Sequence, residues 1–131
     1  MTPEELATRL DKAAARIGPA VQRAVQHTGE LGRARIRGNA SGRPGPNVIS
    51  PDGRNYRSSW ETKNRRLPYG AMCTIGTNAP QGRRLEFGFS GPDRLGRVYN
   101  QPPFAHVGPA IGYISATLMM EMRYAVAEVL R

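Results

Sequence analysis

Two helical apolar periodicities, one at each end of the chain, bracket a middle rich in glycine and proline, and this arrangement constrains the fold more than any other feature. Thr2-Pro3-Glu4-Glu5 starts a helix: Thr2 caps it, Pro3 takes the first helical position and Glu5 completes a capping box. Leu6, Leu10, Ala13, Ile17, Val21, Ala24, Thr28 and Leu31 then recur in steps of three or four, with Arg9, Arg16 and Arg23 off the stripe. Gly18-Pro19 interrupts this pattern. Proline lacks an amide donor and clashes one turn back, so a kink or two helices in series is expected there, with the helical region ending at Gly38-Asn39. The second periodicity, from about Pro109 to Leu130, places Ile111, Ile114, Leu118, Met122 and Val126 on one face, widened by Tyr113, Met119, Met120 and Tyr124.

Asn39 to Gly53 is dense in helix and strand breakers and reads as a loop. Strands are expected from about Tyr56 to Arg66, from Ala71 to Gly76, and from Arg84 to Phe89, the last with Leu85, Phe87 and Phe89 on one face. Ser90 to Pro103 reads as a second long loop. The predicted fold is a single α+β domain over 1–131: an N-terminal helical segment (1–38), a loop (39–55), a small antiparallel sheet (56–89), a second loop (90–108) and a C-terminal helix (109–131) packed on the sheet.

Composition narrows the function classes. No run of about 18 apolar residues is present, which excludes a transmembrane helix of the ordinary kind. Met1 to Leu10 carries Glu4 and Glu5 and no apolar segment, so no signal peptide is expected and synthesis in a cytoplasm is. Cys73 stands alone, ruling out an internal disulfide and a cysteine-based zinc site. Nineteen basic residues against 10 acidic leave a net charge of +9, with lysine only at Lys12 and Lys63. Arginine suits planar, bidentate contacts across an interface, although a GC-rich genome gives the same bias.

Catalytic groupings are scarce. His27 and His106 lie at no metal-ligand spacing; His27 fits a helix C-terminus, and His106 reads as an exposed or hydrogen-bonded turn residue. Cys73 sits in an alternating strand as a packed residue. Glu86 falls between Leu85 and Phe87, pointing away from their face, where it is solvated or paired with Arg83 or Arg84, and it has no partner for general-base work. Gly42-Arg43-Pro44-Gly45-Pro46 has prolines where a phosphate cradle needs amides. No catalytic residue, metal or cofactor is therefore expected. Arg65-Arg66 and Arg83-Arg84 are basic clusters, the first near Tyr56 and Trp60, which supports one alternative: a small nucleic-acid-binding protein with aromatic and arginine side chains on a sheet.

Three segments in order resemble a family of tail components of long-tailed bacteriophages, the tail-completion or head–tail joining proteins. They are Ser50-Pro51-Asp52-Gly53-Arg54-Asn55-Tyr56-Arg57-Ser58-Ser59, then Ile75-Gly76-Thr77-Asn78-Ala79-Pro80 with Leu85-Glu86-Phe87-Gly88, then Gln101-Pro102-Pro103-Phe104 with Gly108-Pro109-Ala110. Asp52-Gly53 stands where the family usually has Thr-Gly, and Gln81-Gly82-Arg83-Arg84 replaces its aromatic-small pair. The resemblance implies a structural virion protein in the phage neck, at the head-proximal tail end. It implies a homo-oligomeric, sixfold ring meeting the tail tube or terminator protein on one side and the head connector or stopper on the other. Genome DNA would pass through the lumen without specific binding, and no membrane is involved. A tail terminator, which caps tube polymerisation, is the alternative within the class. Glu86, Arg65, Arg66, Arg83 and Arg84 are the expected subunit or partner contacts. Pro51, Gly53, Gly88, Pro103, Phe104 and Pro109 are the structural motif residues: Gly88 admits a close backbone approach, Pro102-Pro103 sets a rigid run into Phe104 as a core anchor, and Pro109 opens the last helix.

Overall fold

The capping box closes as its residues dictate. Glu5 donates its backbone N–H to Thr2 Oγ1 (3.1 Å), and Thr2 donates its own to Glu5 Oε2 (2.9 Å). In the computed structural model, which describes residues 1–40, 56–80, 82–92 and 94–131, this box starts helix α1, Pro3–Asn39. Pro19 lies within α1, so the helix is not divided into two. A proline inside a helix costs about 3 kcal/mol; here packed turns on both sides, with Ala13, Ala20 and Ala24 buried, carry the helix through it. The buried stripe is made of small residues, including Thr28, Gly29 and Gly32, until Ile36 closes it, and the expected Leu6 and Leu10 stay exposed.

Small residues let other backbones come close. Helix α3, Gly108–Leu130, runs antiparallel to α1: Val129 clusters with Ala13 and Ala20, His27 Nδ1 meets Glu121 Oε1 at 2.9 Å, and Asn39 Nδ2 donates to the His106 carbonyl at 3.1 Å. Strands β1 (Glu61–Leu67) and β2 (Gly70–Gly76) form an antiparallel hairpin with Thr62 opposite Ile75 and Asn64 opposite Cys73. A methyl group placed on Gly29 would collide with Cys73 Sγ, and one on Gly32 would come within 2.8 Å of Ile75 Cδ1 and 2.9 Å of Ile114 Cγ1. Gly29→Ala should therefore destabilise the protein by about 1–3 kcal/mol in urea unfolding, the overlap outweighing alanine's helix preference of about 1 kcal/mol. The same contact, with the charge of Glu30 nearby, places the Cys73 thiol where burial raises its pKa.

Three local expectations are corrected. The first strand begins at Glu61 and not near Tyr56, because Arg57–Ser59 form a 3₁₀ turn in which Ser59 N donates to the Tyr56 carbonyl at 3.0 Å. The expected third strand is instead a short helix, α2, Gly82–Phe87. A stretch this short does not distinguish the two periods: Leu85 is buried and Phe87 is exposed, so they do not share a face. Gly88, at φ 79°, ends α2 by donating to the Arg84 carbonyl at 2.8 Å, a left-handed helix stop. Finally, the expected second loop contains a two-stranded antiparallel hairpin, β3 (Phe89–Pro92) with β4 (Val98–Gln101).

The fold is α+β. Its main core joins Ile36 of α1, Tyr56, Trp60, Leu85 of α2 and Ala110 of α3, with Ile75 of β2 and Ile114 of α3 packed against them. The C-terminal helix thus reaches the sheet through the same cluster that buries the end of α1. No helix among the described residues is long and apolar enough to cross a membrane.

Candidate functional site

Helix α3 lacks a side-chain cap of its own at its N-terminus. Val107 precedes it with no side-chain cap, its first turn has no acidic residue and its last turn has no basic one. The first amides of a helix need acceptors, and its positive end favours an anion. Glu86 of α2 supplies both. Its Oε2 accepts from the backbone N–H groups of His106 (2.8 Å) and Val107 (3.0 Å), and its Oε1 accepts from Gly108 (2.8 Å). At the other end, Arg9 of α1 donates to the Leu130 carbonyl (2.8 Å) and Arg16 to that of Val129 (3.4 Å). An apolar helix is thereby held by an anion at its N-terminus and cations at its C-terminus, each from a distant part of the chain.

The Glu86 end is seated on a buried aromatic cluster. His106 and Tyr56 are both fully buried, and the Tyr56 hydroxyl lies 2.7 Å from His106 Nε2. His106 Nδ1 faces two acceptors, the Phe104 carbonyl at 2.8 Å and Glu86 Oε2 at 3.1 Å. Two acceptors at Nδ1 place the proton there, so Nε2 accepts from Tyr56. The His106 ring meets Tyr56 and Trp60 edge-on, at 5.5 and 5.8 Å between centroids. Phe104 N donates to the Leu85 carbonyl at 2.7 Å, tying the segment before α3 to α2.

Electrostatics follow from this seating. Burial pushes the Tyr56 phenol up to about 12; the Trp60 side chain opposes the rise and the Glu86 charge reinforces it. For Glu86, burial favours the neutral acid, but the three amide donors and the His106 ring outweigh it and hold the carboxyl below its usual value. A carboxylate whose folded pKa is depressed contributes stability above the unfolded pKa and loses it as pH falls through the folded one. Wild-type protein should thus lose urea resistance as pH falls below about 4.3, the ordinary glutamate value, with a shallower dependence in Glu86→Gln.

The expected contact residues separate. Glu86 is a partly buried internal clamp and no outward strand carboxylate. It pairs with neither Arg83 nor Arg84: Arg84 lies over the Phe89 ring at 4.0 Å, and Arg83 is exposed on α2. Arg65 and Arg66 are exposed on β1. Tyr56 and Trp60 are buried and so offer no base-stacking platform beside them. Phe104 is only half-buried, and the anchor expected of it is His106, which the sequence reading placed in a turn. Pro103 is exposed in the segment leading to Phe104, and Pro109 occupies the first turn of α3 as expected. Pro51 and Gly53 lie outside the described residues. Sequence reasoning missed Arg9, Arg16 and Asn39 as partners of α3; the missing caps of that helix were the available signal.

Chemically, Tyr56, His106 and Glu86 are wired in the order of a proton relay, yet Tyr56 and His106 present no surface to a substrate. Among the described residues no group of three or more His, Cys, Asp or Glu side chains is placed to hold a metal ion. The arrangement positions a helix. No family model, no curated protein and no solved structure matches the chain.

Proposed function

We propose that this protein is a structural subunit of a tailed phage, a protomer of the ring that completes the tail and joins it to the head connector. The carrying observation is the surface of α3. The clamp fixes a helix whose outward side exposes Ile111, Leu118, Met119, Val126 and Leu130 on one flank and Met120 and Tyr124 on another. A helix that is apolar beyond its packed stripe is ordinarily buried on more than one side. A second copy of the chain is the occupant that a ring supplies, and the ordered resemblance of three segments to tail-completion proteins supplies the context. Glu86 then serves assembly indirectly, by fixing the helix that carries the contact. A terminator ring remains the second reading, since it would use the same surface.

Light scattering coupled to size-exclusion chromatography tests this. Wild-type protein should associate at micromolar concentration into a closed oligomer, sixfold on the family resemblance, visible as rings by negative-stain microscopy. Leu118→Glu with Val126→Glu should give a folded monomer. A wild-type protein that stays monomeric up to hundreds of micromolar, alone and with tail-tube and connector proteins, would remove the reading.

A further inference from the structure

We infer that the β1–β2 hairpin is a sequence-blind contact for the phosphate backbone of a nucleic acid, with Tyr69 at its turn stacking on any exposed base. This stands independently of the ring reading. Lys63, Arg65 and Arg66 are all exposed, and among the described residues no ion pair or side-chain hydrogen bond engages them. The pairing strand, Gly70–Gly76, carries no charge, and the hairpin's single carboxylate, Glu61, sits at the end opposite the turn. The hairpin is anchored on its other side: Thr62 Oγ1 donates to Glu30 Oε1 at 2.7 Å, and Cys73 and Ile75 lie against Gly29 and Gly32 of α1. Its distal cations are therefore presented from a fixed base.

An exposed aromatic ring beside these cations favours a nucleic acid over an acidic protein surface. Lys63 and Arg65 share one face of β1, two residues apart, hence about 6.6–6.8 Å along the strand. Arg66 points to the opposite face, one residue before Leu67 and the turn. Tyr69 in that turn is fully exposed, at 104%, and aromatic side chains beside cations stack on unpaired bases. No element on the hairpin reads base edges, so affinity follows charge and not sequence.

Fluorescence anisotropy on a random-sequence duplex and a single strand of the same length, between 50 and 200 mM salt, tests the proposal. Lys63→Ala/Arg65→Ala/Arg66→Ala should lower the slope of log affinity against log salt on the duplex by about 2, as the loss of the two phosphate contacts on the Lys63–Arg65 face requires. Arg83→Ala/Arg94→Ala/Arg123→Ala, an equal loss of charge elsewhere, should leave the slope nearly unchanged. Tyr69→Ala should weaken single-strand binding about fivefold or more and leave the duplex unaffected. Equal losses in the two triple variants would show attraction by net charge alone and overturn the hairpin assignment. Absence of wild-type binding to either nucleic acid would overturn it too, leaving an acidic protein as the candidate partner. An unaltered single-strand affinity in Tyr69→Ala would remove the stacking contact.

Discussion

Glu86→Ala is expected to destabilise the isolated protomer by about 3 kcal/mol, because it strips acceptors from three backbone amides at once; an unsatisfied buried donor costs ~1–3 kcal/mol, and water relieves part of that at exposed Gly108. For a chain of this length the melting temperature should fall by roughly 10 °C. An outward strand carboxylate predicts the opposite, a substitution invisible to stability and felt only in assembly. The difference lies in whether α2 is a helix. On a helix Glu86 leaves the Leu85 direction by about a quarter turn and reaches the start of α3, whereas on a strand it would face away. Calorimetry of dilute protein separates the two, and Glu86→Gln, which keeps one acceptor oxygen, should fall between Ala and wild type.

His106→Ala is expected to cost about 3–5 kcal/mol, a large part of the ~5–15 kcal/mol that holds a domain of this kind together. It opens a cavity beneath Tyr56 and Trp60 and leaves the Tyr56 hydroxyl without its acceptor. Tyr56→Phe, which keeps the ring and removes only the hydroxyl, should cost less, about 1–3 kcal/mol. The two losses should not add, since both break the same hydrogen bond, and a double-mutant cycle in urea measures the shortfall. Phe104→Ala should be milder than His106→Ala, because Phe104 is half-buried and its main tie to Leu85 runs through its backbone amide.

What was legible in the sequence was whatever depended on neighbours along the chain. The Thr2–Glu5 capping box, the long first helix, the Ala71–Gly76 strand and the proline start of the last helix all rest on local spacing, and all are present. Segments whose state is decided by distant partners were misread. Arg84 to Phe89 alternates like a strand, but the tertiary reward of placing Leu85 in the core and Glu86 on the α3 amides selects a helix. Pro19 reads as a break, yet packing on both sides carries α1 across it. His106 has no sequence signal of burial; it sits in a proline-bounded run that looks like an exposed turn, and partners distant in the chain, Tyr56, Trp60 and Glu86, account for its place in the core. The clamp itself was half legible: α3 shows no acid in its first turn and no base in its last, which says that partners are needed without saying which.

Hydrogen exchange at the amides of His106, Val107 and Gly108, followed in dilute monomeric protein, tests the clamp most directly. If Glu86 holds the start of α3 within one protomer, these amides are protected at the lowest concentration measured, and Glu86→Gln raises their exchange while the middle of α3 keeps its protection. If they exchange freely in the monomer and gain protection only as the protein assembles, Glu86 acts between subunits and the internal clamp is contradicted.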